Sequence, residues 1–419
     1  MDKEKLIYYA DRGIEFSLII LIFILPFAHT ASIRAFCIIF ATVLWIGEMA
    51  IERRLLLKRT PLDFPNLAFF LWATLSSITA VDPEYSLSQI KGEVGTYLLI
   101  FYVTLNNITT EEQVKRLIKS LSLGLLIMSS YGIYQFIIFK GTLVSSSVRI
   151  SSLTSDYNYL ATYLIIAVPL VLLQSFVTKG WLKLCIYLIS FLGIFTVYIT
   201  YTRAAWLALF IQIVLCGLLM RNKKITSLAI LIGFIVTTMI FWGIKDPFIH
   251  KTTLISPAGE ITKVDTAFSR LAIWKEGIQQ IKKYPLTGIG YGRESFKKAF
   301  HDNPFLKKER GQLWHTHNAF METALEIGIP GMLFLILQLL LLINIFLRAF
   351  LKAKQPFSKF LFMGLLLVIF GFFTRNQFDH LYVDDPVMMF WLLMGMGMAL
   401  IIRDRKHKVE ELMDKKEGT

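Results

Sequence analysis

The sequence predicts an all-α polytopic membrane protein, and two observations carry that prediction. Of the 419 residues, 55% are hydrophobic and only 18% are charged, whereas about a quarter of the residues in a soluble domain are charged. Apolar runs of about 17 to 22 residues also recur along almost the whole chain, and each is long enough to cross a bilayer as a helix. The chain is therefore expected to form a helical bundle in a membrane.

Twelve runs are predicted as transmembrane helices, with residues 14–32, 34–51, 64–80, 92–107, 117–139, 158–177, 183–201, 204–220, 225–244, 330–350, 357–375 and 386–402. Lysine and arginine concentrate in alternate connections, for example 52–59, 115–116 and 221–224. By the positive-inside rule these connections, both termini and the tail 403–419 are cytoplasmic. The same distribution explains the net charge of +14 through membrane topology, so no nucleic-acid partner is expected.

One extracytoplasmic connection is long enough to hold a site. Residues 1–244 carry the first nine spans and 330–402 the last three, so 245–329 form a large loop, and loops of that length are usually functional. Apolar residues at helical spacing predict an amphipathic helix over 265–281. Gly288, Gly290 and Gly292 predict a turn rather than a phosphate loop, since the spacing is not GxGxxG. A last helix over 319–327 is expected to begin at the N-cap Asn318, so the loop is mostly helical.

The main candidate for chemistry is the segment from Trp314 to Glu322 at the end of this loop. It places His315, His317, Asn318 and Glu322 directly before an apolar run. A neutral imidazole can take a proton from a hydroxyl group near pH 7, which makes His317 the candidate general base. A zinc site is the alternative: the two histidines would lie on one side of an extended strand, with a third ligand from another histidine or a carboxylate.

Three arginines and one aspartate are further candidates on the same predicted side of the membrane. Arg203 lies at the boundary between the seventh and eighth spans, where it can either reach lipid headgroups or bind a phosphate through its planar fork. Arg270 lies on the amphipathic loop helix, and Arg149 precedes the sixth span. Convergence of the three would form a diphosphate clamp. Asp379 follows the eleventh span, where it is either solvated or orients an imidazole or arginine of the site.

The ordered set of these motifs resembles the O-antigen ligase and polymerase family of membrane glycosyltransferases. The resemblance covers about residues 150–380 and includes Thr202 to Trp206, Ser269 to Trp274, Gly288 to Gly290, His315 to Asn318 with Glu322, and Gly328 to Gly331. It implies an undecaprenyl-diphosphate-linked glycan as donor and a location in the bacterial inner membrane, with the site facing the periplasm. It also implies that His317 is catalytic, that Arg203 and Arg270 bind the diphosphate, and that no metal or other cofactor takes part.

Other functions stay open at the level of sequence. Within the family, the acceptor can be lipid A–core in a ligase, a second lipid-linked repeat in a polymerase, or a serine or threonine in a protein oligosaccharyltransferase. The ligase is favoured because the loop is of moderate size. A transporter of lipid-linked sugars is a separate class, but transporters tend to carry charges or broken helices at mid-membrane. Here the polarity lies at one face, which favours an enzyme.

Overall fold

A computed structural model of the chain describes residues 3–141, 148–224, 226–227, 230–231, 251–255, 261–301, 315–380 and 382–417. Its helices are α1 Lys3–Ile24, α2 Ala31–Glu52, α3 Asp63–Ser76, α4 Pro83–Gly92, α5 Val94–Asn107, α6 Glu111–Ile138, α7 Tyr157–Leu173, α8 Trp181–Ile199, α9 Arg203–Leu219, α10 Thr266–Lys283, α11 Arg293–Ala299, α12 Ala319–Lys352, α13 Pro356–Arg375 and α14 Asp384–Glu417. Two short strands, β1 Lys251–Ile255 and β2 Ile261–Asp265, pair antiparallel.

The predicted helical membrane protein is confirmed in its main features. Each predicted span except the ninth coincides with a helix, and the ninth, 225–244, lies almost wholly outside the described residues. Within the described part, seven helices are long and apolar enough to cross a membrane. The chain is therefore a multi-pass membrane protein, while the count of twelve, the sidedness of the large loop and the cytoplasmic termini remain predictions.

The innermost helices are α7, α13 and α14, whose apolar segments are 78%, 78% and 83% buried. Helices α7 and α13 run antiparallel: Phe176 just after α7 stacks on Phe360 at a centroid distance of 4.7 Å, and Asn158 at the other end of α7 accepts a hydrogen bond from Arg375. Such helices are apolar on all sides because they contact protein in every direction. They fix the relative position of the polar residues at their ends.

Helix α9 joins the same bundle through a buried amide. The side chain of Gln212 donates to the carbonyls of Ile165 on α7 and Leu367 on α13, each at 2.9 Å. Because a helix rises about 1.5 Å per residue, Arg203 lies roughly 14 Å from that level, and Arg375 roughly 12 Å. The short turn between α8 and α9 reverses the chain, so both arginines lie towards the same end. We call the end at which α7 and α9 begin and α13 ends the polar end.

The turn between α10 and α11 packs against a kink in α12. Ile327 and Gly328 depart from helical geometry, and Gly328 has φ +78°. Since Pro330 has no N–H, the carbonyl of Glu326 has no helical donor, and it accepts the N–H of Gly290 at 2.9 Å. A Cβ on Gly328 would lie 1.9 Å from the carbonyl oxygen of Leu286. The predicted turn at Gly288, Gly290 and Gly292 is therefore confirmed, and it packs against the kink of α12 at Gly328.

Two local predictions need correction. The loop was predicted to be mostly helical, and besides α10 and α11 it contains the paired strands β1 and β2. The first helix ends at Ile24 rather than 32, just before Pro26, which cannot donate to a continuing helix. Helix α14 continues into the tail as far as Glu417. The amphipathic helix is confirmed as α10. Its apolar spacing predicts an inner face formed by Leu271, Trp274, Ile278 and Ile281, but Leu271 and Ile278 are exposed, and Ile273 is buried instead.

Candidate functional site

The two histidines lie in a tight turn directly before α12, not in the extended strand assumed for a zinc site. His317 has φ +55°, a left-handed conformation that is uncommon for residues other than glycine. Its backbone N–H donates to Nδ1 of His315 at 3.1 Å, and the two rings lie 4.1 Å apart. Because Nδ1 of His315 accepts a hydrogen bond, the proton of the neutral ring is on Nε2.

Asn318 caps α12 and also ties it to α13, which explains why the turn lies where it does. Its Oδ1 accepts the N–H groups of Phe320 and Met321 at 3.1 and 3.0 Å, as an N-cap should. Its Nδ2 donates to the side chain of Gln377 at 3.0 Å. The predicted cap is confirmed. The same residue brings the histidine turn against the segment that contains Asp379.

Asp379 is the centre of the cluster. Its Oδ1 lies 3.3 Å from Nδ1 of His317 and 3.8 Å from Nε2 of His315, and it also accepts the backbone N–H of His380 at 3.0 Å. Its Oδ2 lies 3.1 Å from Nη2 of Arg375. The side chain of Arg375 is only 1% exposed. The carboxylate thus joins the histidine turn to the end of α13.

The electrostatics favour an ionised Asp379 beside neutral imidazoles. Burial by itself would raise the pKa of Asp379, but the hydrogen bond with His317 and the charge of Arg375 outweigh it and hold that pKa well below its usual range. Burial lowers the pKa of His315 well below its ordinary value, and it lowers the pKa of His380 to about 3. Near pH 7 the carboxylate is therefore charged and both of these rings are neutral.

A second buried group lies directly behind the first. Glu322 accepts the N–H of Thr316 at 2.5 Å, and Glu326, one helical turn further, accepts the N–H of Gly292 at 2.8 Å. Trp274 of α10 donates its indole N–H to the carbonyl of Thr316 at 2.7 Å. Glu322 is 2% exposed, so it supports the turn from inside and does not face an open cleft.

Two groups of side chains in the described residues have the proximity that a metal ion needs. In His315, His317 and Asp379, and again in Glu322, Glu326 and His380, the potential ligand atoms lie within 4.8 Å of one another. The first group contains the carboxylate that the zinc alternative required as its third ligand. However, Nδ1 of His315 already accepts a backbone hydrogen bond, and Arg375 already balances the charge of Asp379. The first group therefore needs no cation to balance its charge.

The arginines are arranged differently from the predicted clamp. Arg203 is the first residue of α9, at the polar end. Arg149 stacks on the ring of Tyr157 at 4.8 Å. The backbone of Arg270 lies in α10, and its side chain is outside the described part of the structure. Convergence of the three therefore stays a prediction.

Two arginines that sequence reasoning did not select lie at the site. Arg375 pairs with Asp379 and also donates to Asn158 at 2.7 Å. Arg293, the first residue of α11, lies 4.0 Å from Asp384, and its charge helps to lower the pKa of His315. The signal for Arg375 was present in the sequence: a buried charge within an apolar span usually has a paired partner, and Asp379 is four residues away.

Fold and cluster together define a multi-pass helical membrane protein with a candidate acid–base site at one end of its bundle. Residues 188–336 match the family model described as O-antigen ligase, which confirms the family resemblance over that part of the chain. The exopolysaccharide production protein ExoQ of Rhizobium meliloti (strain 1021) is 29% identical over 164 residues, which are 35% of this chain and 34% of the relative. The alignment thus spans about a third of either protein. The family match includes both site histidines, whereas Asp379 and Arg375 lie outside it.

Proposed function

We propose that the protein is an O-antigen ligase that transfers a glycan from undecaprenyl diphosphate to a hydroxyl group of lipid A–core at the periplasmic face of the inner membrane. The observation that carries the proposal is the contact of His317 with Asp379 inside a chain that matches the O-antigen ligase family model. A hydroxyl acceptor must lose a proton as it attacks, and an imidazole held by a carboxylate performs that step in many enzymes.

In the proposed mechanism, Asp379 fixes the tautomer of His317. The ionised carboxylate accepts a hydrogen bond from Nδ1–H of His317, which keeps the ring proton on Nδ1 and leaves Nε2 as the basic nitrogen. Within the described residues Nε2 has no hydrogen-bond partner. It takes the proton of the acceptor hydroxyl, the oxygen bonds to the anomeric carbon of the donor, and the bond to the diphosphate oxygen breaks. Attack opposite the leaving group inverts the anomeric centre. General-base assistance of this kind is worth about 10²–10⁴-fold in rate.

The leaving diphosphate carries the charge that builds up during transfer, and arginines are suited to stabilise it. We assign this role to Arg203 and Arg270, with Arg149 as a further contact. Arg203 is at the polar end, as is the histidine turn. A guanidinium binds phosphate oxygens in a bidentate manner and stays charged at every working pH. Preorganised charge of this kind stabilises a leaving group without a metal, so the proposed reaction is metal-independent.

A polymerase of the same family is the second candidate, and the name of the relative is the observation that favours it. ExoQ is described as an exopolysaccharide production protein, and a polysaccharide can be extended by transfer onto another lipid-linked repeat. The chemistry at His317 would be identical, because a sugar hydroxyl attacks in both cases. Only the acceptor differs between the two candidates.

The test is transfer by the purified protein in nanodiscs containing EDTA. A labelled undecaprenyl-diphosphate glycan is supplied with either lipid A–core or an unlabelled lipid-linked repeat. Label on lipid A–core supports the ligase, and longer lipid-linked chains support the polymerase. Activity that appears only when zinc is restored would reject the metal-independent mechanism. Failure of transfer to either acceptor by a folded protein would reject the proposed function.

The matched variants for this assay follow from the geometry. His317→Asn is preferable to alanine because asparagine adopts the left-handed conformation of residue 317 more readily. It should abolish most of the transfer. His301→Asn changes an exposed histidine at the end of α11 and should leave transfer near the wild-type rate. Equal activity in the two variants would remove His317 from the mechanism.

A further inference from the structure

A separate cavity of about 280 Å³ opens at the polar end, beside the histidine cluster. It lies between the turn that joins α1 to α2, the start of α7 and the start of α14. Its polar lining includes His29, Arg34, Tyr159, Asp384 and Asp385. Its volume is just below the range of about 300–1,000 Å³ that is typical of sites for drug-sized ligands. The space is therefore suited to a small ring-sized group.

The backbone around this cavity is strained at two positions. His29 has φ +61° and Asp384 has φ +52°, left-handed conformations that are uncommon for residues other than glycine. Strain of this kind persists where the surrounding structure holds it, and it concentrates at ligand sites. Both residues line the cavity, His29 from the turn between α1 and α2 and Asp384 from the start of α14. The strain is thus located where a ligand would be held.

The charge of the lining selects the kind of ligand. Asp384 and Asp385 contribute two carboxylates, and Arg34 forms an ion pair with Asp385. The hydroxyl of Tyr159 donates to Asp384 at 2.6 Å. Carboxylates repel a diphosphate, but they accept hydrogen bonds from neutral hydroxyl groups. A polyhydroxylated ring therefore fits this lining, and the diphosphate of a donor does not.

The position of the cavity separates it from the arginine assigned to the donor. Helix α9, which begins at Arg203, packs on α13 and α7, whereas the cavity is walled by α7, α14 and the α1–α2 turn and has no lining residue from α9. Arg293 connects the cavity to the histidine cluster: it lies 4.0 Å from Asp384, and its charge acts on His315. A ligand in the cavity would thus contact α7 and α14 and not α9, which begins at Arg203.

We infer that this cavity binds a sugar ring of the acceptor glycan, with Asp384 and Asp385 as the residues that select it. This assignment rests on the proposed function, because only a glycan transferase has an acceptor. Hydrogen bonds from ring hydroxyls to the two carboxylates orient the acceptor, so that the attacking hydroxyl reaches His317. The chemistry of the lining is the same for a core oligosaccharide and for a repeat-unit glycan, and the experiment separates these two sources.

The test measures protection of an introduced thiol. Ser155 is an exposed residue of the cavity lining. Ser155→Cys is made in a chain whose Cys37, Cys185 and Cys216 are replaced by alanine, and the rate of maleimide labelling is followed. The probes are delipidated core oligosaccharide, repeat-unit oligosaccharide released from its carrier, and inorganic pyrophosphate. Lys179→Cys, an exposed position beyond the other end of α7, is the matched control.

We expect one of the two oligosaccharides to slow labelling at position 155 at least five-fold, with no effect at position 179 and none from pyrophosphate. The oligosaccharide that protects identifies the source of the acceptor. The inference is overturned if neither oligosaccharide protects the thiol, or if pyrophosphate protects it equally well. Protection does not depend on transfer, so protection without transfer would retain the sugar site and reject only the proposed function.

A kinetic measurement provides a second readout. Asp385→Asn should raise the KM for the acceptor at least five-fold while the KM for the donor stays within two-fold, because of the two substrates only the acceptor is expected to contact this carboxylate. A loss confined to kcat, or a larger rise in the donor KM, would contradict an acceptor site.

Discussion

Replacement of Asp379 by asparagine tests the proposed mechanism most directly. The substitution keeps the size of the side chain and removes its charge. The carboxylate contacts His317 at 3.3 Å and Arg375 at 3.1 Å. An asparagine amide can present its NH₂ group to Nδ1, which moves the ring proton to Nε2 and abolishes the base. The variant should therefore lose activity even though every heavy atom stays in place.

The size of the loss follows from the contacts. A hydrogen bond to a charged group contributes about 1.5–3 kcal/mol, and each 1.36 kcal/mol is a factor of ten in rate. Loss of the bond that orients His317 therefore predicts a decrease in kcat of about 10–150-fold. Because the two residues act as one unit, the double variant with His317→Asn should be little worse than His317→Asn alone.

The assay is initial-rate transfer in nanodiscs, with both KM values measured. Asp404→Asn is the matched control, since Asp404 also pairs with an arginine, Arg403 at 2.6 Å, but lies 20 residues further along α14 than Asp384, about 30 Å away. It should retain wild-type kcat. The reasoning is refuted if Asp379→Asn keeps more than half of the wild-type kcat, or if the losses of the two single variants multiply in the double variant.

Three further predictions concern pH, charge and backbone. Burial lowers the pKa of His380 to about 3 from about 6.5, so between these pH values the unfolded chain binds a proton that the folded protein does not, and stability is lost as the pH falls from 6.5 towards 3. The melting temperature in detergent should therefore fall from pH 7 to pH 5, and His380→Gln should make that fall smaller. Arg203→Lys and Arg203→Ala should lose activity in parallel if the guanidinium fork binds the diphosphate, whereas a fully active Arg203→Ala in the transfer assay would exclude the residue. Gly328→Ala places a Cβ 1.9 Å from a carbonyl oxygen and should clearly lower the melting temperature. Gly47→Ala adds a Cβ with no atom within 4 Å, and since alanine stabilises a helix by up to about 1 kcal/mol relative to glycine, its melting temperature should be unchanged or higher. Similar melting temperatures for the two variants would contradict the packing of the glycine turn against Gly328.

Local patterns in the sequence were sufficient for the helices and for the cap at Asn318. Runs of apolar residues predict helices because a membrane-spanning backbone must satisfy its own hydrogen bonds, which depends on neighbours in sequence. The N-cap and the kink at Gly328 likewise depend on interactions a few residues apart. The inner face of α10 was predicted only in part, with Leu271 and Ile278 exposed, because which face of an amphipathic helix is buried depends on what packs against it.

The candidate site was predicted only in part, for a physical reason that its contacts make plain. The histidine turn could be selected because two imidazoles, an amide and a carboxylate are adjacent in sequence. Arg293 could not, since it acquires its partner Asp384 through the packing of distant helices, whereas the pairing of Arg375 with Asp379, four residues away, left a signal in the sequence. His317 and Asp379 are 62 residues apart, and no periodicity connects them.

By itself the sequence determined the class of protein and the position of its polar segment, because these follow from local hydrophobicity. Only the tertiary structure decided that Asp379 holds His317, because the antiparallel packing of α7 and α13 and the cap at Asn318 bring these groups together.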